Sequence, residues 1–411
     1  MLKCSPTACA VALGLLLSSS PLRAQDTGAD QGSQPATVES RADQPATPEP
    51  GQATDQPTRV QKIRRYVENS PIAQRLQEDE GFYPKIGGLS PGSGLAGGGG
   101  YRRNLSWMYV DVSGAVSTKA YRGVDARARW LQTASRSIEV WTDLKFRNNT
   151  QDDFYGLGIE STDADRVDFG IRTTDVVARV IGRARPWLKL GADVGYFIPS
   201  VRPGRDDRLR SIEDVFTDIT APGLARQPHF LHDDVFAEVD SRDAPGFPRR
   251  GGVYRATYAL WNDRTLNEND FRRFDIEGSQ FIAVAPKDVV ALRLSLTYAN
   301  NAPGDRVPFY LLPYVGGGDT VRAFREFRFR DENAGLANVE FRHRVHKMAH
   351  VAGFVDLGKV ANDWQDINAT HMKAAYGFGL RAGNDQHVFL RFDVAYGGDG
   401  TRVFLKFSPA F

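Results

Sequence analysis

Only 2 of the 411 residues are cysteine, and methionine is nearly as scarce at 4. Cys4 and Cys9 both fall in the first ten residues, inside a stretch that reads as an export signal. The mature chain is therefore expected to hold neither thiol nor disulfide, which excludes cysteine catalysis and a small cystine scaffold. A charge excess is lacking too. Lys+Arg total 52 against Asp+Glu 50, a net charge of +2, and nucleic-acid binding is led by a basic excess. Nor is there an apolar run of helix-spanning length. A hydrophobic content of 41% and a mean hydropathy of -0.40 would ordinarily be read as soluble, in one or two domains. These figures leave one class of membrane protein open, the class built of strands.

The N-terminus has the layout of a secretory signal over residues 1–24. Lys3 forms the basic start, residues 11–17 the apolar core, and Leu22-Arg23-Ala24 the cleavage site. Neither cysteine is placed for a lipid anchor, and cleavage after Ala24 leaves acids and bases balanced. Residues 25–58 have no aromatic and repeat Pro among Gln, Thr, Ala, Ser and acids, the composition of a disordered leader. Over 59–80 the spacing of Val60, Ile63, Val67, Ile72 and Leu76 predicts one or two short amphipathic helices. With the glycine-rich hinge that follows they make a segment 59–100. The glycines of that hinge lack the context of a phosphate-binding loop.

From residue 101 to 411 the period is two. Val339, Phe341 and Val345 alternate with Asn338, Glu340, Arg342 and Arg344. Leu292, Leu294, Leu296 and Tyr298 alternate with Ala291, Arg293, Ser295 and Thr297. Neighbours in a strand point to opposite faces, so one face is apolar and the other charged. A soluble sandwich or a transmembrane barrel with a wet lumen would satisfy this pattern. Segments of about 9–12 residues, near what a tilted strand needs to cross a bilayer, favour the barrel. Fifteen segments can be placed, including 154–160, and bacterial barrels have even strand numbers. The expectation is a sixteen-stranded antiparallel barrel closed on itself, the missing strand lying beside 95–104 or within 167–196. Phe411, preceded by Val403, Leu405 and Phe407 at two-residue spacing, looks like an outer-membrane assembly signal.

Three stretches then point to a family. Gly316-Gly317-Gly318-Asp319-Thr320-Val321-Arg322-Ala323-Phe324 resembles the long-loop motif of the Omp85 superfamily (BamA/TamA, bacterial surface antigen D15), whose usual form is Val-Arg-Gly-Phe/Tyr. The stretch from Asp240 through Arg242, Pro245 and Pro248 to Gly251 resembles its Asp-x-Arg-x-x-Pro-x-x-Pro-x-x-Gly hairpin. Phe354-Val355-Asp356-Leu357-Gly358 resembles its Phe-x-Asp-x-Gly strand. The resemblance covers about residues 100–411 and implies a sixteen-stranded barrel with its sixth outer loop folded into the lumen. It also implies a clamp in which Arg322 grips a carboxylate. Alternation places Asp356 inward as the acceptor, with Glu340 and Glu326 as competitors. Ala323 departs from the family's glycine, and if its backbone needed a positive φ, alanine would be strained there. No periplasmic POTRA domain is read before the barrel, so the likeness is to a short form.

The functional expectation is an integral outer-membrane barrel of a Gram-negative-type bacterium that assists insertion or translocation of protein or lipid. Its partners would be the lipid bilayer, the barrel assembly machinery during biogenesis and a client protein or lipid, with no nucleic acid and a monomeric state. A passive pore or structural barrel is the alternative, and a membrane-embedded lipase-like enzyme the third. No cofactor, metal or catalytic residue is assigned. His229 and His232, ahead of Asp233 and Asp234, form a thin cluster with no recognised metal spacing, and no Gly-x-Ser-x-Gly elbow appears.

Overall fold

In the computed structural model, residues 80–407 are described, except 134, 136, 302–303 and 384–386. The signal, the leader, nearly all of the expected helical segment 59–80 and Phe411 lie outside the described residues. What is described is an all-β structure. Its strands are β1 (Gly81–Gly87), β2 (Ala96–Asn104), β3 (Tyr109–Ser117), β4 (Arg122–Gln132), β5 (Ile138–Phe154), β6 (Val167–Arg185), β7 (Leu188–Pro203), β8 (Phe230–Asp240) and β9 (Gly251–Asp263). They continue as β10 (Phe271–Ala285), β11 (Asp288–Asn301), the short β12 (Tyr314–Val315) and β13 (Phe329–Arg330), β14 (Asn333–His346), β15 (Ala349–Ala361), β16 (Lys373–Gly383), β17 (Val388–Gly397) and β18 (Gly400–Lys406). All but β12 and β13 form one 16-stranded antiparallel sheet in chain order, a nearly closed barrel. The short pair makes its own ribbon within the long loop 302–332.

Strand number and sense follow the expectation, but the bookkeeping beneath them does not. Residues 154–160 are no separate strand. β5 runs through to Phe154, and beyond it Leu157 makes only an isolated bridge to Arg330. Two further strands complete the sheet: 96–104, at one of the two places expected for the missing strand, and 81–87, which was not foreseen. The supposed glycine hinge is half strand, because Gly97 to Gly100 lie inside β2 and pair with β1 and β3. A run of glycines has no side-chain period to read. It does leave room: a Cβ on Gly100 would meet the Tyr83 ring at 2.3 Å, and one on Gly98 would meet the Gly114 carbonyl oxygen at 2.0 Å. The barrel therefore begins at residue 81.

The two faces sort as the alternation requires. Val339 and Phe341 are exposed on the outside, whereas Asn338, Glu340 and Arg342 between them are buried in the lumen. Phe378, on β16, is 77% exposed, a placement that suits acyl chains and not water. The inner face is laced by cross-strand ion pairs such as Arg179–Asp193 at 2.7 Å and Lys189–Glu238 at 2.6 Å.

Connections are unequal at the two ends. Turns of two residues, at 186–187, 286–287 and 347–348, close one end, and the long segments 204–229 and 302–332 emerge at the other. At that loop end Ile212, Ala221, Val307, Phe309 and Leu312 pack onto Phe154, Phe169, Phe230 and Phe271 in one apolar cluster. The loops thus share a core with the rim.

Candidate functional site: the loop clamped in the lumen

The glycines before Val321 shape the loop. Gly316 and Gly317 have φ of 120° and 102°, conformations that disfavour side chains, and a Cβ on Gly316 would meet the Arg325 carbonyl oxygen at 2.4 Å. The turn is closed by Gly317 N–H donating to Phe324 O at 3.1 Å and Gly316 N–H donating to Thr320 Oγ1 at 2.8 Å. Its result is to drive Arg322 into the barrel wall.

Arg322 is 2% exposed. Its Nε and Nη2 each donate to Asp356 at 2.7 Å, and its backbone N–H adds a third bond to that carboxylate at 3.2 Å. Nη1 reaches Glu340 at 3.1 Å and Asp393 at 3.4 Å, and the guanidinium carbon lies 3.4 Å from the Phe354 ring centroid. A planar fork with five donors fits such a bidentate seat where a lysine would not. Of the competing acids foreseen, Glu340 shares the arginine; Glu326 does not, and accepts from Gly318 N–H at 3.1 Å instead.

The strand motif explains itself in this geometry. Phe354, Asp356 and Gly358 are alternate residues of β15 and so share its inner face. Phe354 supports the guanidinium, Asp356 binds it, and Gly358 makes space: a Cβ there would meet Val315 and Val321 methyls at 2.7 Å. Val321, Ala323 and Phe324 are buried with Phe354, Ala375 and Ala395. Ala323 is not strained, since its φ is not positive. Its methyl packs where a Cβ on Gly397 would sit 2.6 Å away, so a bare wall residue offsets the methyl that replaces the family's glycine. Asp319 fixes the start of the motif on Lys406 of β18 at 2.6 Å.

Sequence reasoning missed the rest of this cluster. Asp393 pairs with Arg381 at 2.5 Å and Arg391 at 3.1 Å, and Glu340 pairs with Arg381 at 2.6 Å and Arg342 at 2.8 Å. Arg381 and Arg391 stand opposite each other in register on β16 and β17. Asp393 lies between these like charges, and Gly379 leaves it room. Each was visible as an inward charge, but nothing in one sequence says which inward charges meet across four strands.

At the turn end, Arg242 Nε and Nη2 donate to Asp240 at 2.9 and 2.8 Å. That ion pair holds Arg242 above its ordinary pKa. Burial pushes the Asp243 carboxyl up, but N–H donors from Arg249, Arg250 and Ala244 outweigh it, and the group sits below the usual carboxylate range. Gly251, with φ of 84°, passes within 2.0 Å of the Ser241 carbonyl oxygen by its missing Cβ. Pro245 and Pro248 bracket Phe247, which tucks into the barrel against His350 with ring centroids 4.7 Å apart. Val403, Leu405 and Phe407 are all exposed on the outer face of the last strand. His232 stands on β8 facing Asp175 at 3.1 Å, stacked on Trp261. Among the described residues no group of His, Cys, Asp or Glu is arranged to hold a metal.

Fold and clamp together define an outer-membrane-type barrel whose long loop is latched inside it by an Arg–carboxylate cluster. Residues 236–408 match the Omp85 superfamily domain. The fold is similar to BamA from Haemophilus ducreyi lacking POTRA domains 1–3, with a TM-score of 0.59 and 15% identity over 80% of this chain and 69% of that one. It is also similar to CdiB from Escherichia coli, with a TM-score of 0.51 and 13% identity over 79% of this chain and 61% of that one. No curated protein matches the chain.

Proposed function

We propose that this barrel resides in the outer membrane of a Gram-negative-type bacterium and assists insertion or translocation of protein or lipid by parting at the seam between β1 and β18. One observation carries the reading: among the described residues no ladder joins these two strands, although every other neighbouring pair in the sheet is laddered. Both are short at 7 residues, against 19 for β6. A cavity of about 730 Å³ lies between them, lined by Ile86, Leu89, Leu95, Val403 and Leu405. Behind β1 stands the glycine run of β2, which has little side-chain packing to hold it. Unpaired strand edges are templates for another strand, so the seam suits a polypeptide client arriving in extended form.

The clamp has a part in this proposal. Asp319 of the long loop is bound to Lys406 on the seam strand β18 and, at 3.5 Å, to Arg391 on β17. The loop thereby braces one lip of the seam from inside. Its partners would be the bilayer, the assembly machinery that inserts it and the client itself. A passive pore is less favoured, because the long loop occupies the lumen and shares the apolar cluster at the loop end.

The test is a bismaleimide bridge between cysteines placed at Ile86 and Val403, in protein reconstituted into liposomes. Bridging is expected to abolish acceleration of the folding of a urea-unfolded eight-stranded barrel while leaving heat-resistant gel mobility unchanged. Undiminished acceleration with complete bridging would sink the seam. A large, steady single-channel conductance would favour the pore instead.

A further inference from the structure

A second buried arginine in the long loop is held quite differently from Arg322. Arg330, on β13, is 4% exposed. Its Nη1 donates to the Phe309 carbonyl oxygen at 3.1 Å, and its guanidinium lies over the Phe327 ring at 4.5 Å. Its Nε has no partner. Among the described residues no carboxylate stands within ion-pair distance of it, whereas Arg322 has Asp356 and Arg381 has Asp393. Asp152, which lines the same cavity as Arg330, is engaged elsewhere, accepting from Tyr121 Oη at 2.9 Å and Asn149 Nδ2 at 2.8 Å.

Arg330 borders a cavity of about 440 Å³ between the long loop and the barrel wall, the size of many small-molecule sites. Tyr310 borders it too, and its buried Oη is likewise unpartnered. Phe169, Ile171 and Leu312 give the lining apolar surface, and Ser295, Arg273 and Arg293 give it polar groups. The loop is bent to make this place. Phe327 has φ of 61°, an unfavourable conformation for a bulky side chain and one that concentrates at ligand clamps. That conformation sets its ring against Tyr314, at 4.7 Å, and beneath Arg330.

A desolvated guanidinium with open donors is satisfied best by an oxyanion, and apolar walls beside it suit an attached hydrocarbon. We propose that the cavity is a binding site for a phosphate-class oxyanion carried on a small amphiphile. The anion sits on Arg330 and Tyr310 Oη, and the apolar part lies on Phe169, Ile171 and Leu312. The site is distinct from the Arg322 clamp, and it stands whether or not the seam opens.

The full-length protein in dodecyl maltoside would be titrated with dihexanoyl phosphatidic acid and, separately, with inorganic phosphate, binding being followed by phosphorus NMR line width. Arg330→Met removes the cation at nearly constant length. Ser295→Phe fills the cavity from the wall and leaves the loop sequence intact, so it decides the matter if the first variant fails to fold. Each variant is expected to weaken binding about ten- to hundredfold. Binding of the amphiphile alone would assign a lipid-like ligand, and equal binding of both probes a free phosphate in the same seat. No binding of either probe by the wild type, or equal binding by wild type and variants, would overturn the proposal.

Discussion

Removing Arg322 should unbalance one carboxylate and not three, and this can be measured. Arg322 touches Asp356, Glu340 and Asp393. Glu340 would keep Arg381 and Arg342, and Asp393 would keep Arg381 and Arg391. Asp356 would keep no cation, only the Asn338 amide at 2.8 Å and the backbone N–H of position 322 at 3.2 Å. Breaking a buried pair by deleting one partner costs about 3–5 kcal/mol, because an uncompensated charge is left behind. Arg322→Ala should therefore destabilise the barrel by about that amount, read from urea unfolding followed by tryptophan fluorescence and heat-resistant gel mobility. Most of the penalty belongs to Asp356. Adding Asp356→Asn to Arg322→Ala should then recover about 1–3 kcal/mol, since the amide needs no cation. Adding Glu340→Gln or Asp393→Asn should recover nothing and make matters worse, because each strands an arginine. Equal rescue by Glu340→Gln, or none by Asp356→Asn, would refute this division of labour.

The remaining predictions concern the seat and the turn. Gly358→Ala should overpack Val315 and Val321 and cost about 1–3 kcal/mol, appearing as faster tryptic cleavage at Arg325. Ala323→Gly should destabilise by about 1 kcal/mol in urea unfolding, because φ there is not positive and a buried methyl is lost; a gain in stability would contradict the packing against Gly397. Asp243→Ala should loosen the 241–250 turn by about 1–2 kcal/mol, seen as faster amide exchange at Arg249 and Arg250. Asp243 sits below its ordinary pKa when folded, so its contribution is complete above about pH 4 and is lost as the pH falls through the folded value. The difference between wild type and Asp243→Ala should accordingly vanish in acid.

The long alternating segments were legible in the sequence because a strand's two faces are written directly into residue order. β14 and β15 show it: Val339 and Val355 lie outside, Glu340 and Asp356 inside, as their positions require. The same rule turns Asp356 and Glu340 inward, and the family resemblance supplies the expectation that Arg322 grips such a carboxylate. Alternation failed where side chains are missing or segments are short. Gly97 to Gly100 carry no period, so β2 passed for a hinge, and the 7 residues of β1 were overlooked ahead of it. It failed also at 154–160, where β5 had run on past the stretch first read as a strand.

Sequence by itself determined the class of fold and the inward or outward sense of the charged residues on its long strands, which depend on residues a few positions apart. The number sixteen needed the even-strand rule as well, and the entry of the loop into the lumen was implied by the resemblance. Tertiary structure alone decided which charges meet. Asp393 lies 71 positions from Arg322 along the chain, and only the curvature of the sheet brings β14, β15 and β17 around one guanidinium. It decided that Ala323 could replace glycine, because the space for its methyl is supplied by Gly397. It also left Arg330, among the described residues, with a ring and a carbonyl oxygen for neighbours and no carboxylate within ion-pair distance.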